Sequence, residues 1–376
     1  MNDSLQTMHS LLAQMRERGG SDLFITAGFP PAIKLDGKLT PLSSEPLGAA
    51  QASACVRAVM NERQAADFEA SREANFAISP DGLGRFRVSA FVQMGQAGMV
   101  LRTINTAIPK LDALGLPAIL QDVVMSKRGL LIMVGATGCG KSTTLAAMVG
   151  HRNEHSHGHI ITIEDPVEFI HPHGNCIITQ REVGVDTEDW ATALKNTLRQ
   201  APDVIQIGEI RDRDTMDHAI AFAETGHLCL ATLHANNANQ ALDRIINFFP
   251  EERRQQLLMD LSLNLKGIIS QRLIPASNGS GRKAAMEILL NSPLMSELIF
   301  KGQVHDIKEL MKKSRELGMQ TFDQALFELH EAGMISYEDA LRNADSVNDL
   351  RLAIKLDGKP GSLPDTAQGK ASWGLL

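Results

Sequence analysis

Residues 135–143 read Gly135-Ala136-Thr137-Gly138-Cys139-Gly140-Lys141-Ser142-Thr143. This stretch fits the pattern G-x-x-x-x-G-K-[ST], in which glycines let the chain wrap around a phosphate with successive backbone N–H groups pointing inward. Lys141 adds a positive charge, and the Ser142 hydroxyl can ligate Mg²⁺. An apolar run precedes the loop at 130–134, and a helical pattern follows it from Thr144. Strand, loop and helix therefore come in the order that a phosphate-binding loop requires, which disfavours a chance glycine turn.

Three more apolar runs of strand length follow the loop and alternate with helical patterns. This alternation predicts βαβ units and a largely parallel sheet, and hence an α/β fold. The predicted strands are 130–134, 160–163, 204–207 and 228–233, and the predicted helices are 190–200, 251–273 and 321–332. Thr321 and Gln324 predict a capping box at the start of the last helix.

Acids and histidines lie next to three of these runs. They are Glu164, Asp165, Glu168, Glu209, His227 and His234. The carboxyl ends of parallel strands lie at one shared edge, where ligands bind, so we expect the acids and His234 beside the phosphate loop, with His227 at the entry to its strand. Glu209 is placed to hold Mg²⁺ through water, and Glu164 or Glu168 to orient and deprotonate an attacking water. For each residue alone, the alternative is an acid that caps a strand end or a histidine satisfied in the core.

The first hundred residues predict a small α+β domain. An amphipathic helix ends at a pair of glycines, and short strands follow it, with a hairpin turn at Asp36-Gly37. One further helix is predicted at 47–70. Around Arg87, apolar and polar residues alternate, which predicts a strand with one buried face and one face that carries arginines. The prolines and glycine within 108–117 predict a linker.

The composition excludes several classes of protein. Lysine and arginine number 37 against 44 aspartates and glutamates, a net charge of −7 that provides no basic surface for bulk nucleic acid or anionic lipid. A hydrophobic content of 43% can form a core, which excludes a wholly disordered chain. No run approaches the ~18 apolar residues of a membrane span, and the first residues lack the features of a secretory signal. Four scattered cysteines fit neither a disulfide scaffold nor a zinc site, so we expect a cytoplasmic protein.

Four segments together are similar to the nucleotide-binding motifs of the secretion ATPase (GspE/PilT) superfamily, which drives type II secretion, type IV pili and conjugation. They are 135–143 (Walker A), 161–169 (aspartate box), 208–212 (Walker B) and 225–234 (histidine box). Two further segments, 21–28 and 84–93, resemble the N-terminal domain of the pilus retraction ATPases. The resemblance thus covers nearly the whole chain.

This resemblance implies a PAS-like α+β domain at 1–107, a linker at 108–117 and a RecA-like ATPase domain at 118–357. The remaining 358–376, rich in turn-forming residues, is predicted to be a disordered tail. The family also implies a homo-hexameric ring whose N-terminal domains close over bound ATP. An inner-membrane platform protein of the pilus and a paralogous retraction ATPase are the implied partners, and no nucleic acid is expected. The implied location is the cytoplasmic side of the inner membrane, at the pilus base.

The resemblance also implies individual roles. Glu168 becomes the catalytic glutamate and Glu209 the Walker B acid, which shares Mg²⁺ with Ser142. Arg87 and Arg102 become the arginines that reach the phosphates. The implied ATP contacts are Gly135, Thr137, Gly138, Cys139, Gly140, Lys141, Ser142, Thr143, Glu164, Asp165, His227 and His234.

Two departures from the family pattern leave the function open between a motor and an accessory subunit. Retraction motors carry an arginine-bearing C-terminal motif, and the aligned segment 294–301 lacks both arginines. The chain also continues into a longer tail, and both features resemble an accessory paralogue of the motor. The zinc-binding tetracysteine insert of extension-type ATPases is absent. A nucleic-acid translocase is disfavoured by the net charge and by the presence of only two tryptophans and one tyrosine.

Overall fold

The computed structural model describes residues 2–358 except Asp36, Asn105 and Thr106. By their contacts, the described residues divide into two compact units: the first comprises those within 1–107 together with 168–170, and the second comprises all the others, from Ile108 onward. The predicted turn residue Asp36 and all of the predicted tail except Gly358 lie outside the described residues. Among the described residues, no helix combines the length and apolar character that a bilayer crossing requires.

The described part of the first unit contains a six-stranded antiparallel sheet in the order β3-β2-β1-β6-β5-β4, with three helices. The strands are β1 (Asp22–Ile25), β2 (Ala32–Leu35), β3 (Lys38–Pro41), β4 (Glu73–Ile78), β5 (Arg85–Gln93) and β6 (Gln96–Ile104). The helices are α1 (Asn2–Glu17), α2 (Ala49–Ala58) and α3 (Glu62–Ser71). Met8, Leu11, Leu12 and Met15 of α1 recur at helical spacing and are buried in the core of this unit.

The prediction of one helix over 47–70 is wrong, because the chain forms two helices there. Asn61 starts the second one with a capping box: its side chain accepts a hydrogen bond from the Gln64 N–H at 2.9 Å. The Gln64 side chain in turn accepts one from the Asn61 N–H at 3.0 Å. This reciprocal pair of hydrogen bonds satisfies backbone N–H groups at the start of a helix. A new helix therefore begins at Glu62, although the helical pattern of the sequence is continuous there.

The second unit is built on a seven-stranded sheet, counted over the described residues, in the order β13-β12-β7-β11-β10-β8-β9. Its strands are β7 (Gly129–Val134), β8 (Gly158–Glu164), β9 (Cys176–Glu182), β10 (Val204–Ile207), β11 (Leu228–Leu233), β12 (Leu265–Pro275) and β13 (Arg282–Leu290). Its helices are α4 (Ile119–Val124), α5 (Lys141–His155), α6 (Trp190–Thr197), α7 (Arg213–Glu224), α8 (Ala238–Asn247), α9 (Glu251–Asn264), α10 (Pro293–Phe300), α11 (Val304–Lys313), α12 (Phe322–Glu331), α13 (Tyr337–Arg342) and α14 (Val347–Asp357).

The predicted parallel α/β architecture is confirmed for this unit. All neighbouring strands pair in parallel except β12 and β13, which are antiparallel. Successive β7 residues face two different apolar clusters, one containing Leu130, Ile132 and Val134, the other Leu131 and Met133. A strand covered on both faces explains the continuous apolar run in the sequence.

The segment predicted as a linker, 108–117, belongs to the second unit. It forms a 3₁₀ turn at Leu111–Leu114, and Leu111 is buried in the cluster that covers one face of the sheet. The predicted capping box of α12 is confirmed, since the Gln324 N–H donates to Thr321 Oγ1 and the Thr321 N–H donates to Gln324 Oε1.

The prediction of a helix over 251–273 is wrong in its second half. Helix α9 ends at Asn264, and β12 begins at the next residue, between β7 and β13. Residues 267–271 are all buried, on both faces of the strand, so no helical stripe distinguishes core from surface. As a result, β12 lies directly beside the strand that carries the phosphate loop.

Arg272 of β12 joins this strand to the C-terminal helices. Its guanidinium donates to the Asn343 carbonyl at 2.6 Å and to the Asp345 carboxylate at 2.8 Å. The same group lies over the Phe322 ring, 3.8 Å from its centre. Charge-assisted hydrogen bonds and stacking together fix the position of α12 and of the α13–α14 turn on the sheet.

Glu287 of β13 is a buried acid, with a side chain only 3% exposed. Its Oε1 accepts hydrogen bonds from the Ala238 N–H at 2.6 Å and from the Ser270 hydroxyl at 3.2 Å. Burial raises the pKa of this carboxyl to about 7; Asp345 adds to the rise, whereas the two hydrogen bonds and Lys308 oppose it.

We expect the wild-type protein to lose stability relative to a Glu287→Gln variant as the pH rises from 5 to 8. The folded state keeps this carboxyl neutral up to about pH 7, whereas the unfolded chain ionises near the ordinary pKa of 4.5. Rising pH therefore favours unfolding through this group, by a difference on the order of 3 kcal/mol. Denaturant unfolding of both proteins at the two pH values measures the effect.

The control is Glu316→Gln, which changes an exposed glutamate of the same unit and should follow the wild type at both pH values. Parallel pH profiles of the wild type and Glu287→Gln would contradict the buried acid as the source of the pH dependence.

Candidate nucleotide-binding site

The phosphate loop connects the end of β7 to the start of α5, and three of its glycines have backbone angles that other residues rarely adopt. The φ angles are +150° at Gly135, +77° at Gly138 and +92° at Gly140. A Cβ atom at Gly135 would lie 2.4 Å from Cys139 Sγ and 2.7 Å from the Gln271 carbonyl oxygen. Both backbone angle and space therefore require glycine at the first position.

Lys141 lies across the loop that it follows. Its side chain is buried, and Nζ donates hydrogen bonds to the carbonyl oxygens of Gly135 at 2.8 Å and Ala136 at 3.1 Å. Ser142 is the next residue, in the first turn of α5. The Lys141 ammonium group thus lies close to the free backbone N–H groups at the start of a fifteen-residue helix. A positive side chain beside a helix N-terminus is an arrangement that binds anions.

Four of the predicted residues meet at the loop's edge of the sheet. Glu164 is the last residue of β8 and Asp165 follows it, Glu209 comes two residues after β10, and His234 follows β11 directly. The register aligns Ile207 of β10 with both neighbouring strands, and β11 ends level with β7. The parallel sheet therefore brings three strand ends to the loop, as the sequence predicts.

Glu209 is held at this edge by two basic side chains. Arg211 Nε donates to Glu209 Oε2 at 2.7 Å, and His234 Nε2 lies 3.3 Å from Glu209 Oε1. Arg211 also reaches Asp165, with 3.5 Å between Nη1 and Oδ2. The hydrogen bond to Glu209 raises the pKa of Arg211 further, so this guanidinium stays charged at physiological pH. The network fixes the carboxylate that the sequence assigns to Mg²⁺, and the sequence analysis missed Arg211.

Two cavities meet at the loop. The first has a volume of about 330 Å³, and its lining includes Thr137, Gly138, Arg272, Arg282 and Asn343. The second has about 720 Å³ and extends from Gly135, Ala136 and His234 along α8. Both volumes are in the range of small-molecule sites.

His227 lies at the opposite edge of the sheet from the loop, at the entry to β11, which is where the sequence places it. It precedes β11, whose first residue is level with the start of β7. Its Nδ1 lies 3.2 Å from the Phe222 carbonyl oxygen and 3.0 Å from Thr225 Oγ1. The six residues of β11 lie between His227 and His234, which are therefore about 23 Å apart at ~3.3 Å for each of the seven steps. His227 lines neither of the two cavities at the loop of its own chain, and its implied contact with ATP remains a prediction.

Glu168 is exposed and lies in the short segment 168–170 that groups with the first unit. The structure thus gathers Glu164, Asp165, Glu209 and His234 with the loop, and places Glu168 in the other unit. Its role remains a prediction.

Arg87 and Arg102 are cross-strand partners in the first unit. They lie directly opposite each other on β5 and β6, and Asp22 of β1 is opposite Arg102 on the other side. Arg102 Nε donates to Asp22 Oδ1 at 2.7 Å, and the Ser21 hydroxyl donates to Oδ2 at 2.8 Å. Burial raises the pKa of Asp22, but the bonds from Arg102 and Ser21 outweigh it and the pKa is lowered. The Arg102 guanidinium is thus paired with a carboxylate, and the strand register places Arg87 across from it.

Gln271 is another residue that sequence reasoning missed. It lies on β12, and its side chain contacts the loop at Cys139 and the first turn of α5 at Thr144. Recognising 265–275 as a strand would have placed Gln271 in the sheet next to the phosphate loop. The prediction of a helix over 251–273 prevented this.

The sequence and the fold are similar to those of known secretion and pilus ATPases. The model of the type II/IV secretion system protein family matches residues 9–342. The chain is 64% identical to the type IV pilus ATPase PilU of Pseudomonas aeruginosa, over 92% of this chain and 91% of that protein. It is 41% identical to the type IV pilus retractation ATPase PilT of the same organism, over 89% of this chain and 97% of that protein. Among solved structures, the pilus retraction motor PilT with bound ADP matches at a TM-score of 0.85 and 38% identity, covering 91% of this chain and 98% of that chain.

We expect Gly135→Ala to lower stability by about 3 kcal/mol and to abolish nucleotide binding, because the new methyl group overlaps Cys139 and the Gln271 carbonyl. The matched control is Gly279→Ala. Gly279 has a φ of +71° and nothing near its Cβ position, so it should lose only about 1 kcal/mol. Thermal unfolding and titration with ADP measure both effects. Equal behaviour of the two variants would show that the close packing at Gly135 is unimportant.

Proposed function

Because the chain belongs to the type II/IV secretion system protein family, we propose that it is an ATP-hydrolysing motor subunit that powers type IV pilus retraction. The observation that carries this proposal is the phosphate loop with Glu209, His234 and Asp165 assembled beside it, in a chain 64% identical to a pilus ATPase over nearly its full length. ATP hydrolysis itself follows from the family, whose pilus members are ATPases by name.

In this proposal the loop binds the phosphates of ATP. Lys141 exchanges the carbonyls of Gly135 and Ala136 for phosphate oxygens, and the amides at the start of α5 bind the same group. Thr137, Gly138, Cys139, Gly140, Ser142 and Thr143 complete the loop. The Ser142 hydroxyl and the Glu209 carboxylate are oxygen donors of the kind Mg²⁺ prefers, so they would hold this ion, Glu209 through water. The ion would neutralise charge on the phosphates.

Glu168 is assigned as the residue that orients and deprotonates the attacking water. Glu164 and Asp165 lie at the start of the segment that contains Glu168. Arg211 forms ion pairs with both Asp165 and Glu209 and so connects this segment to Glu209. The facing Arg87 and Arg102 are assigned to the phosphates, where they would stabilise the charge that develops during transfer. The register that places these two arginines directly across from each other on β5 and β6 supports a shared role.

The proposed assembly is a homo-hexamer in which the first unit is the PAS-like domain and the second the RecA-like domain. Hydrolysis would loosen the grip of the domains on the nucleotide and move them relative to each other. The proposed partners are a paralogous retraction ATPase and the inner-membrane platform protein of the pilus. The proposed location is the cytoplasmic side of the inner membrane, at the pilus base.

A second candidate is an accessory subunit that binds nucleotide and supports a paralogous motor with little hydrolysis of its own. It is favoured by α10, where segment 294–301 lacks the arginines of the retraction-motor motif. Ser296 and Phe300 stand at the two arginine positions, and the Phe300 side chain is 44% exposed.

We expect Glu168→Gln to lower kcat for ATP at least a hundredfold while ATP still binds, because only the activation of water is lost. Lys141→Ala should abolish binding. Glu188→Gln, which changes another exposed glutamate, is the matched control and should match the wild type. Steady-state phosphate release and ADP titration measure these quantities. Equal, negligible turnover by the wild type and Glu168→Gln would reject the motor and favour the accessory subunit.

In cells, we expect loss of the gene together with its paralogue to abolish surface motility while surface pili accumulate, because assembly continues without retraction. Each single deletion shows whether this chain acts alone. Motility assays combined with quantification of sheared pili measure both properties, and the control is complementation with the wild-type gene. A deletion strain without pili would contradict a retraction role and indicate an assembly role.

A further inference from the structure

Gln271 lies beneath the phosphate loop, in the middle of β12. Its side chain is 3% exposed, so its amide must find partners inside the protein. Nε2 donates to the Cys139 carbonyl oxygen at 2.8 Å, and Oε1 accepts from the Thr144 hydroxyl at 2.7 Å. A carbonyl oxygen can only accept, which fixes the orientation of the amide. One buried side chain therefore bonds both the loop and the helix that follows it.

The bond to Cys139 determines how the loop presents its backbone. In a planar trans peptide, the carbonyl and the following N–H point in opposite directions. Because Gln271 draws the Cys139 carbonyl towards β12, the Gly140 N–H is directed away from β12. This N–H belongs to the run of loop amides that the phosphate pattern uses.

The loop's glycines are matched to Gln271. A Cβ atom at Gly135 would lie 2.7 Å from the Gln271 carbonyl oxygen, and one at Gly140 would lie 2.7 Å from Nε2. The close atom at Gly135 is the backbone oxygen of Gln271, which any residue at this position would present, whereas the close atom at Gly140 belongs to the side-chain amide. The amide therefore lies against both residues of the Cys139–Gly140 peptide, and Gly140 leaves the space that this approach needs.

We propose that Gln271 is a positioning residue for nucleotide binding: it holds the peptide between Cys139 and Gly140 so that the Gly140 N–H faces the phosphates. The inference rests on the proposed binding of ATP to this loop, and it assigns to β12 a role in affinity. Because such a contact is made with bound substrate and transition state alike, its loss raises KM and leaves kcat nearly unchanged.

The test compares Gln271→Glu with the wild type. The variant keeps the size of the side chain but places an acceptor against the Cys139 carbonyl, so the peptide is repelled. We expect the Kd for ADP and for inorganic pyrophosphate, measured by calorimetry, to rise at least tenfold. We also expect the KM for ATP to rise by a similar factor, with kcat changed less than threefold. Gln320→Glu is the matched control, since Gln320 also approaches a backbone carbonyl, of Met286, away from the loop.

Thr144→Val is the second variant, and it keeps the test decisive if Gln271→Glu does not fold. It removes only the hydroxyl that orients the Gln271 amide, and we expect a rise of about threefold in both Kd values. Unchanged Kd values in either folded variant overturn the proposal, as does a fall in kcat with constant KM. Failure of the wild type to bind ADP would instead reject the proposed function, and Lys141→Ala gives the reference for lost binding.

Discussion

Strand β7 is hydrogen-bonded on both sides, by β11 and by β12, and each of its six residues is buried. Its side chains alternate between two apolar clusters, so the strand can neither shift along its neighbours nor rotate without exposing large hydrophobic groups. The phosphate loop begins where this strand ends. Its position, and with it the position of Lys141 at the start of α5, therefore follows from the packing of β7.

The same pairing determines which charged groups reach the loop. Strands β8, β10 and β11 run parallel to β7, so their carboxyl ends share one edge, and Glu209 and His234 meet there. This part of the site was predictable from the sequence. A buried parallel strand is recognisable as a continuous apolar run, and the residues that directly follow such a run lie at the shared carboxyl edge of the sheet. Arg211 was not, because nothing in a sequence indicates that a side chain folds back onto an acid two residues earlier.

Other features depend on information that local patterns do not contain. The run 265–275 carries apolar residues on both faces, so its periodicity does not separate helix from strand. Because β12 was not predicted as a strand, the role of Gln271 was not predicted either. Its two side-chain contacts are with residues 132 and 127 positions away in sequence. Pairing at that distance is set by the sheet order.

Gln271 and Arg272 are neighbours on β12, and Arg272 bonds to the C-terminal helices at Asn343 and Asp345. A chain cut before Asp345 would leave the Arg272 guanidinium without the carboxylate that neutralises it, one residue from the support of the loop. The C-terminal residues are therefore structural parts of the nucleotide-binding unit, and trimming them removes a charge partner from the strand that supports the phosphate loop.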